Sequence, residues 1–198
     1  MRVIAGSAGG HPLAVPPKGT RPVSDRAREG LFSSLGGAVV DAVCLDLFAG
    51  SGALGIEALS RGAASCTFVD RARTATATIV RNLRTTDLED RATVLTREVS
   101  SFLQDPGPHD PGSHDPGLRE PRTDGPPVDL VFLDPPYELA GPPLDDPLAA
   151  LDRRWLPADG WTVVVTRGHK AALPAVPIHW SSRRQLRYGD SLVILYGP

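Results

Sequence analysis

What the chain lacks narrows its chemistry before any motif is read. Its 198 residues include only two cysteines, Cys44 and Cys66. Each sits in a strand-like apolar run without CxxC spacing, which predicts reduced core thiols in a cytoplasmic protein rather than a disulfide framework. No grouping of His, Cys and carboxylates has metal-ligand spacing, so no metal is expected. No apolar run is long enough to span a bilayer, and the opening MRVIAGSAGG has no signal-peptide core, so no membrane partner is expected either. A large charge of one sign is also missing. The net charge of −2 weighs against a protein that holds nucleic acid through bulk charge.

What is present has the balance of a folded domain, with 41% hydrophobic and 22% charged residues. The charges are unevenly placed. Residues 1–30 carry Arg2, Lys18, Arg21, Arg26 and Arg28 against Asp25 and Glu29. Residues 153–187 carry Arg153, Arg154, Arg167, Lys170, Arg183, Arg184 and Arg187 against Asp159 alone. Two basic ends around an acidic middle suggest a local phosphate-binding face, although a solvated mixed surface would give the same count.

Residues 1–16 read as a β-hairpin, RVIAGSA and PLAVP joined through Gly9-Gly10. Ser24 is the expected N-cap of a helix that carries Ala27, Leu31, Phe32 and Leu35 on one face and ends at Gly36-Gly37. Strands are expected at AVCLDLF, SCTFVD, ATVLT, DLVFLD and WTVVVT, with helices at Ser51 to Ser60, Arg71 to Arg84 and Asp146 to Trp155. RRQLRYGDSLVILYG should form an antiparallel pair around Gly189-Asp190. This alternation predicts an α/β fold, a doubly wound Rossmann-like sheet with helices on both faces. Residues 105–127 interrupt it with DPG at 105, 110 and 115, a low-complexity insertion expected to be flexible.

CLDLFAGSGALGIEAL places Gly50, Gly52 and Gly55 after a strand and at a helix start, with Asp70 ending the next strand. That is G-x-G-x-x-G in the context of nucleoside binding, the second-strand carboxylate accepting ribose hydroxyls. Asp46 selects among nucleosides. A carboxylate at the strand end repels a pyrophosphate, at a cost on the order of several kcal/mol per contact, and attracts a ligand bearing an ammonium and a sulfonium. S-adenosylmethionine is therefore favoured over a dinucleotide. Leu47 and Phe48 are expected beside the ligand and Glu98 near its adenine amine, though a helix-start glutamate explains Glu98 equally well.

The fourth strand of such a sheet ends at the switch point, and here it ends in Asp134-Pro135-Pro136-Tyr137. Strand termination accounts for two prolines, but a methyl donor next door gives them a chemical use. The lone pair of an exocyclic nucleobase amine is conjugated into its ring. The Asp134 carboxylate and the Pro135 carbonyl, held rigidly, would take its two N–H bonds and free that lone pair. Tyr137 offers a ring for a flipped-out base. Methylating a pyrimidine carbon would need a cysteine nucleophile near this loop, and there is none.

DLFAGSGALGIEALSRGA, FVD, LDPPY, TRPVSDRAREGLFSSL and YGDSLVILY together resemble the bacterial small-subunit ribosomal RNA guanine-N2 methyltransferases over nearly the whole chain. The resemblance implies a class I methyltransferase domain at 23–198 behind an N-terminal extension at 1–22. It also implies methyl transfer to a guanine N2 of 16S ribosomal RNA in the small subunit; a monomer is the default expectation. Asp46, Leu47, Phe48, Ala49, Gly50, Ser51, Gly52 and Asp70 would contact the cofactor, and Asp134 to Tyr137 would serve catalysis. Arg21, in the matching segment Thr20-Arg21-Pro22, would meet RNA or the cofactor's carboxylate, and Arg2, Lys18 and Arg26 would meet RNA. Glu98 stands where the family more often has aspartate. A DNA adenine amino methyltransferase and a non-catalytic ribosome-binding factor are the alternatives.

Overall fold

The structure is a computed structural model, and it describes residues 1–16, 23–104, 128–136 and 138–198. Seven strands form one sheet: β1 (Val43–Leu47), β2 (Ser65–Asp70), β3 (Ala92–Thr96), β4 (Leu130–Leu133), β5 (Thr162–Gly168), β6 (Ser181–Tyr188) and β7 (Ser191–Gly197). Their order is β3-β2-β1-β4-β5-β7-β6. The first five are parallel, and β7 runs antiparallel to both β5 and β6. β1 therefore lies between β2 and β4, so the chain leaves the sheet centre in opposite directions and opens a crevice at their carboxyl ends.

Five helices cover the sheet: α1 (Asp25–Leu35), α2 (Ala53–Ser60), α3 (Arg73–Thr86), α4 (Val99–Gln104) and α5 (Pro142–Arg154). Strand alternation assigns the faces. Cys44, Cys66, Phe68, Leu130, Phe132 and Val164 point into one core with α1, α2 and α3. Leu45, Leu47, Val69, Val131, Leu133, Val163 and Val165 point into the other with α4 and α5. Ser24 caps α1 by accepting the Ala27 N–H at 3.2 Å, and Gly36 ends it, as the sequence predicts. Both cysteines are free and buried.

Three elements differ from expectation. α4 was not singled out in the sequence, being only six residues long. α5 starts at Pro142, ahead of the expected Asp146, because prolines tolerate the first turn, where no N–H partner is needed. The N-terminal hairpin is present but short: its arms meet at the antiparallel bridge Arg2↔Pro12, with Val3 N–H donating to the His11 carbonyl and Leu13 N–H to that of Met1, both at 3.0 Å, and Gly10 N–H to that of Val3 at 2.9 Å. Other amides of its first arm turn to α2. Ile4 and Ala5 donate to the Glu57 carboxylate at 2.7 and 3.1 Å, Ser7 N–H to the Ser60 carbonyl at 2.8 Å, and Ala8 N–H to Ser60 Oγ at 3.0 Å. Gly6 makes that docking possible, since a Cβ there would lie 1.9 Å from the Ser60 oxygen. Covered by this segment and by the sheet, all of α2 is buried.

Candidate active site

Between β1 and α2 the chain turns through left-handed residues Phe48, Gly50 and Gly52, with φ of 58°, 57° and 76°. The third glycine of the motif has a packing role. A Cβ on Gly55 would sit 2.4 Å from the Phe68 ring and 2.6 Å from Cys66 Sγ, so glycine lets α2 lie directly on β2. Two carboxylates fix the loop. Asp46 Oδ2 accepts the Gly55 N–H at 2.9 Å. Asp70 accepts from Gly50 through Oδ2 and from Ala72 through Oδ1, both at 2.9 Å. Asn82, buried on α3, donates through Nδ2 to the Ser51 carbonyl at 2.9 Å and the Ala14 carbonyl at 3.0 Å. Its Oδ1 accepts the Ala14 N–H at 2.8 Å. One amide thus joins the glycine loop to the N-terminal segment.

At the carboxyl ends of β1, β2 and β4 lies a cleft of about 640 Å³, within the usual range for a ligand site. It brings together Asp46, Phe48, Ala49, Gly50, Ser51, Asp70, Glu98, Asp134, Pro135 and Pro136, ten of the residues proposed from the sequence. Pro16 and Val23, on either side of residues 17–22, add a wall that the motifs did not indicate. Leu47 is corrected: its side chain is in the α4–α5 core, because Asp46 and Leu47 point to opposite faces of β1. Gly52 is not among the lining residues; it caps α2 instead. Arg2 and Arg26 are exposed and outside the cleft, Arg2 lying 4.0 Å from Asp25. Lys18, Arg21, Tyr137 and the insertion 105–127 lie outside the described residues.

The basic face expected from charge counting loses two members. Arg28 and Arg167 are both fully buried. Arg28 bonds the Arg2 carbonyl and Asp25 at 2.6 Å and lies 3.6 Å from the buried Glu57. Arg167 Nη1 and Nη2 donate to the carbonyls of Pro136 at 3.3 Å and Leu139 at 2.7 Å, and Nε donates to that of Ala172 at 3.3 Å. Sequence reading missed Arg71, Thr74, Ser100 and Glu138 in the lining, and Arg167 and Asn82, which hold its loops from outside. For the last two the available signal was position: an arginine closing the buried run TVVVTRG, and an asparagine on the apolar face of α3.

The cleft is acidic. Among the described residues, Asp46, Asp70, Glu98, Asp134 and Glu138 line it against the single cation Arg71, which pairs with Glu98 at 3.2 Å. Burial pushes the Asp46 carboxyl well up; the Gly55 N–H partly offsets this, and the charges of Asp134 and Asp70 add to it. Burial alone raises Asp134 to about 7. Asp134 differs from the other two in a further respect: its carboxylate has no hydrogen-bond partner among the described residues. The neighbouring Pro135 carbonyl is likewise open, whereas that of Pro136 is held by Leu139 N–H at 3.0 Å and by Arg167. A pyrophosphate would meet five carboxylates here. A cationic ligand would relieve their mutual repulsion, so the donor set fits a sulfonium-bearing nucleoside.

Relatives with the same build are known. Ribosomal RNA small subunit methyltransferase D of Escherichia coli is 36% identical over 198 residues, covering 99% of this chain and 89% of its own. The protein of the same name from Haemophilus influenzae is 32% identical over 200 residues, covering 99% and 93%. Among solved structures, the presumed methyltransferase yhhF of Escherichia coli superposes with a TM-score of 0.80 at 35% identity, covering 100% of this chain and 97% of its own. The expected class I methyltransferase fold is thus the fold observed. With residues 1–197 matching its family model, the chain belongs to the family described as conserved hypothetical protein 95, which it shares with the small-subunit ribosomal RNA methyltransferases D.

Proposed function

We propose that this protein transfers a methyl group from S-adenosylmethionine to the exocyclic N2 amine of a guanine in 16S ribosomal RNA. It would act as a monomer on the small subunit, without a metal. The observation that carries this reading is the Asp134 carboxylate beside the Pro135 carbonyl, neither with a hydrogen-bond partner among the described residues, at the rim of a cleft whose other wall is acidic. Asp134 is half-buried at the cleft, and two adjacent acceptors open toward it suit a substrate with two donors. An exocyclic amine is such a group. The relatives' names direct the reading to ribosomal RNA.

In the bound state the cofactor supplies an electrophilic methyl group. Asp46 and Asp70 hold the glycine loop in shape and present negative charge to its cationic and hydroxyl groups. Asp134 and Pro135 accept the two N–H bonds of the amine, turning its lone pair out of conjugation; such fixed acceptors need no reorganisation as the bond forms. The amine becomes acidic as it is alkylated. A carboxylate with a pKa near 7 is well matched to take that proton and pass it to water. Asp134 must be ionised to begin, so turnover rises with pH through about 7.

The test is incubation with tritiated S-adenosylmethionine and either undermethylated small subunits or unmethylated DNA, followed by digestion and identification of the labelled nucleoside. N2-methylguanosine from the subunits is expected. Methyladenine from DNA would keep the Asp134 chemistry and overturn the substrate. Cofactor binding without label in either sample would favour a ribosome-binding factor.

A further inference from the structure

The loop that presents Asp134 and Pro135 has few backbone bonds of its own among the described residues. Pairing of β4 with β5 stops at Leu133↔Val165. The last strand-like bond is Asp134 N–H to the Leu47 carbonyl, stretched to 3.4 Å. Pro135 and Pro136 then contribute no N–H at all. The positions of the open acceptors therefore depend on whatever grips the following carbonyls.

We propose that Arg167 is a positioning residue for this loop, its guanidinium fork fixing the Pro136 and Leu139 carbonyls so that Asp134 and Pro135 face the substrate amine. The inference rests on the amine-methylation reading of the cleft. Arg167 is the penultimate residue of β5, completely buried, and its three nitrogens reach carbonyls of two segments. The Pro136 and Leu139 carbonyls bracket a turn already closed by Leu139 N–H, so two nitrogens of one rigid plane set its orientation. The Ala172 carbonyl, five residues further along Arg167's own segment, anchors the third nitrogen and keeps the plane from rotating. Arg167 does not act by charge on Asp134, whose upward shift has burial as its cause. The Pro136, Leu139 and Ala172 carbonyls that it bonds all lie outside the glycine loop.

These features separate positioning from general structural support. Arg167→Lys keeps the buried charge but replaces the fork with a point donor that cannot hold both carbonyls. It should lower kcat about a hundredfold, the scale of a one-ångström misplacement. The affinity for S-adenosylhomocysteine should stay within about twofold, and the pH midpoint of turnover should stay near that of the unaltered protein. Amide hydrogen exchange should accelerate at Glu138 and Leu139 while β1 and α2 remain protected. Turnover at the unaltered rate, or exchange that rises equally across the glycine loop with loss of S-adenosylhomocysteine binding, would overturn the proposal. The exchange measurement is independent of activity. A loosened loop in a protein whose unaltered form transfers no methyl group would uphold the clamp and sink the functional reading instead.

Discussion

The two walls of the cleft are built by different means. On the β1–β2 wall each carboxylate is tied to backbone amides close by in the chain: Asp46 to Gly55, nine residues on, and Asp70 to Gly50, twenty back. On the β4 wall the carboxylate of Asp134 is tied to nothing among the described residues, and its loop is held by Arg167 from 31 and 28 residues away. The first wall is a local unit, satisfied before any ligand arrives and suited to holding a cofactor. The second keeps two acceptors open, with burial raising the acid to about 7. On the proposed reading, binding falls to the settled half and reactivity to the unsettled one.

This contrast can be broken most sharply at Asp134. Asp134→Ala should cut turnover by about two to three orders of magnitude, the cost of deleting one oriented polar group, and leave S-adenosylhomocysteine affinity within about twofold. An equal loss of affinity in a titration would mean the walls are not independent. Asp70→Ala should do the reverse, weakening that affinity about ten- to a hundredfold with little effect on turnover at saturating cofactor.

Stability sharpens the comparison further. Asn82→Ala strands the Ser51 carbonyl and both polar groups of Ala14, and should remove about 2–4 kcal/mol, lowering the melting temperature on the order of 5–10 °C. Asp134→Asn should act in the opposite direction. The folded pKa is about 7 against an ordinary value of 3.8, so between those values the folded protein holds a proton that the unfolded chain has released. Stability from this group is therefore full below about pH 4 and declines as pH rises to 7. Removing the charge should raise the melting temperature by a few degrees at pH 8, with the gain vanishing toward pH 4 in a scanning series. A gain independent of pH would show that Asp134 is not strained by burial.

The settled wall was largely legible in the sequence and the unsettled one only half so. Strand, glycine and carboxylate follow one another within the motif, so Asp46, Gly50 and Asp70 were found from spacing alone. Leu47 was misplaced because contact with the ligand was read from proximity in the motif, when alternation along β1 sends it to the opposite face. Asp134 and its prolines were visible, but their clamp was not. In the sequence Arg167 is one basic residue among seven in its region, and only packing distinguishes a buried fork from a solvated charge. The hairpin was legible but its length was not: its arms pair around Arg2↔Pro12, while Glu57 and Ser60 on α2 take the amides of Ile4, Ala5 and Ala8.

The Asn82 contact also imposes an order on synthesis. Ala14 and Asn82 are 68 residues apart, and at about 5–20 residues per second the later one follows by about 3–14 s. Throughout that interval the emerging N-terminal segment has neither its α3 anchor nor, at first, its α2 surface. A segment made well before α3 must wait for it to find its place, and a truncated product ending before residue 82 would leave that segment exposed to proteases.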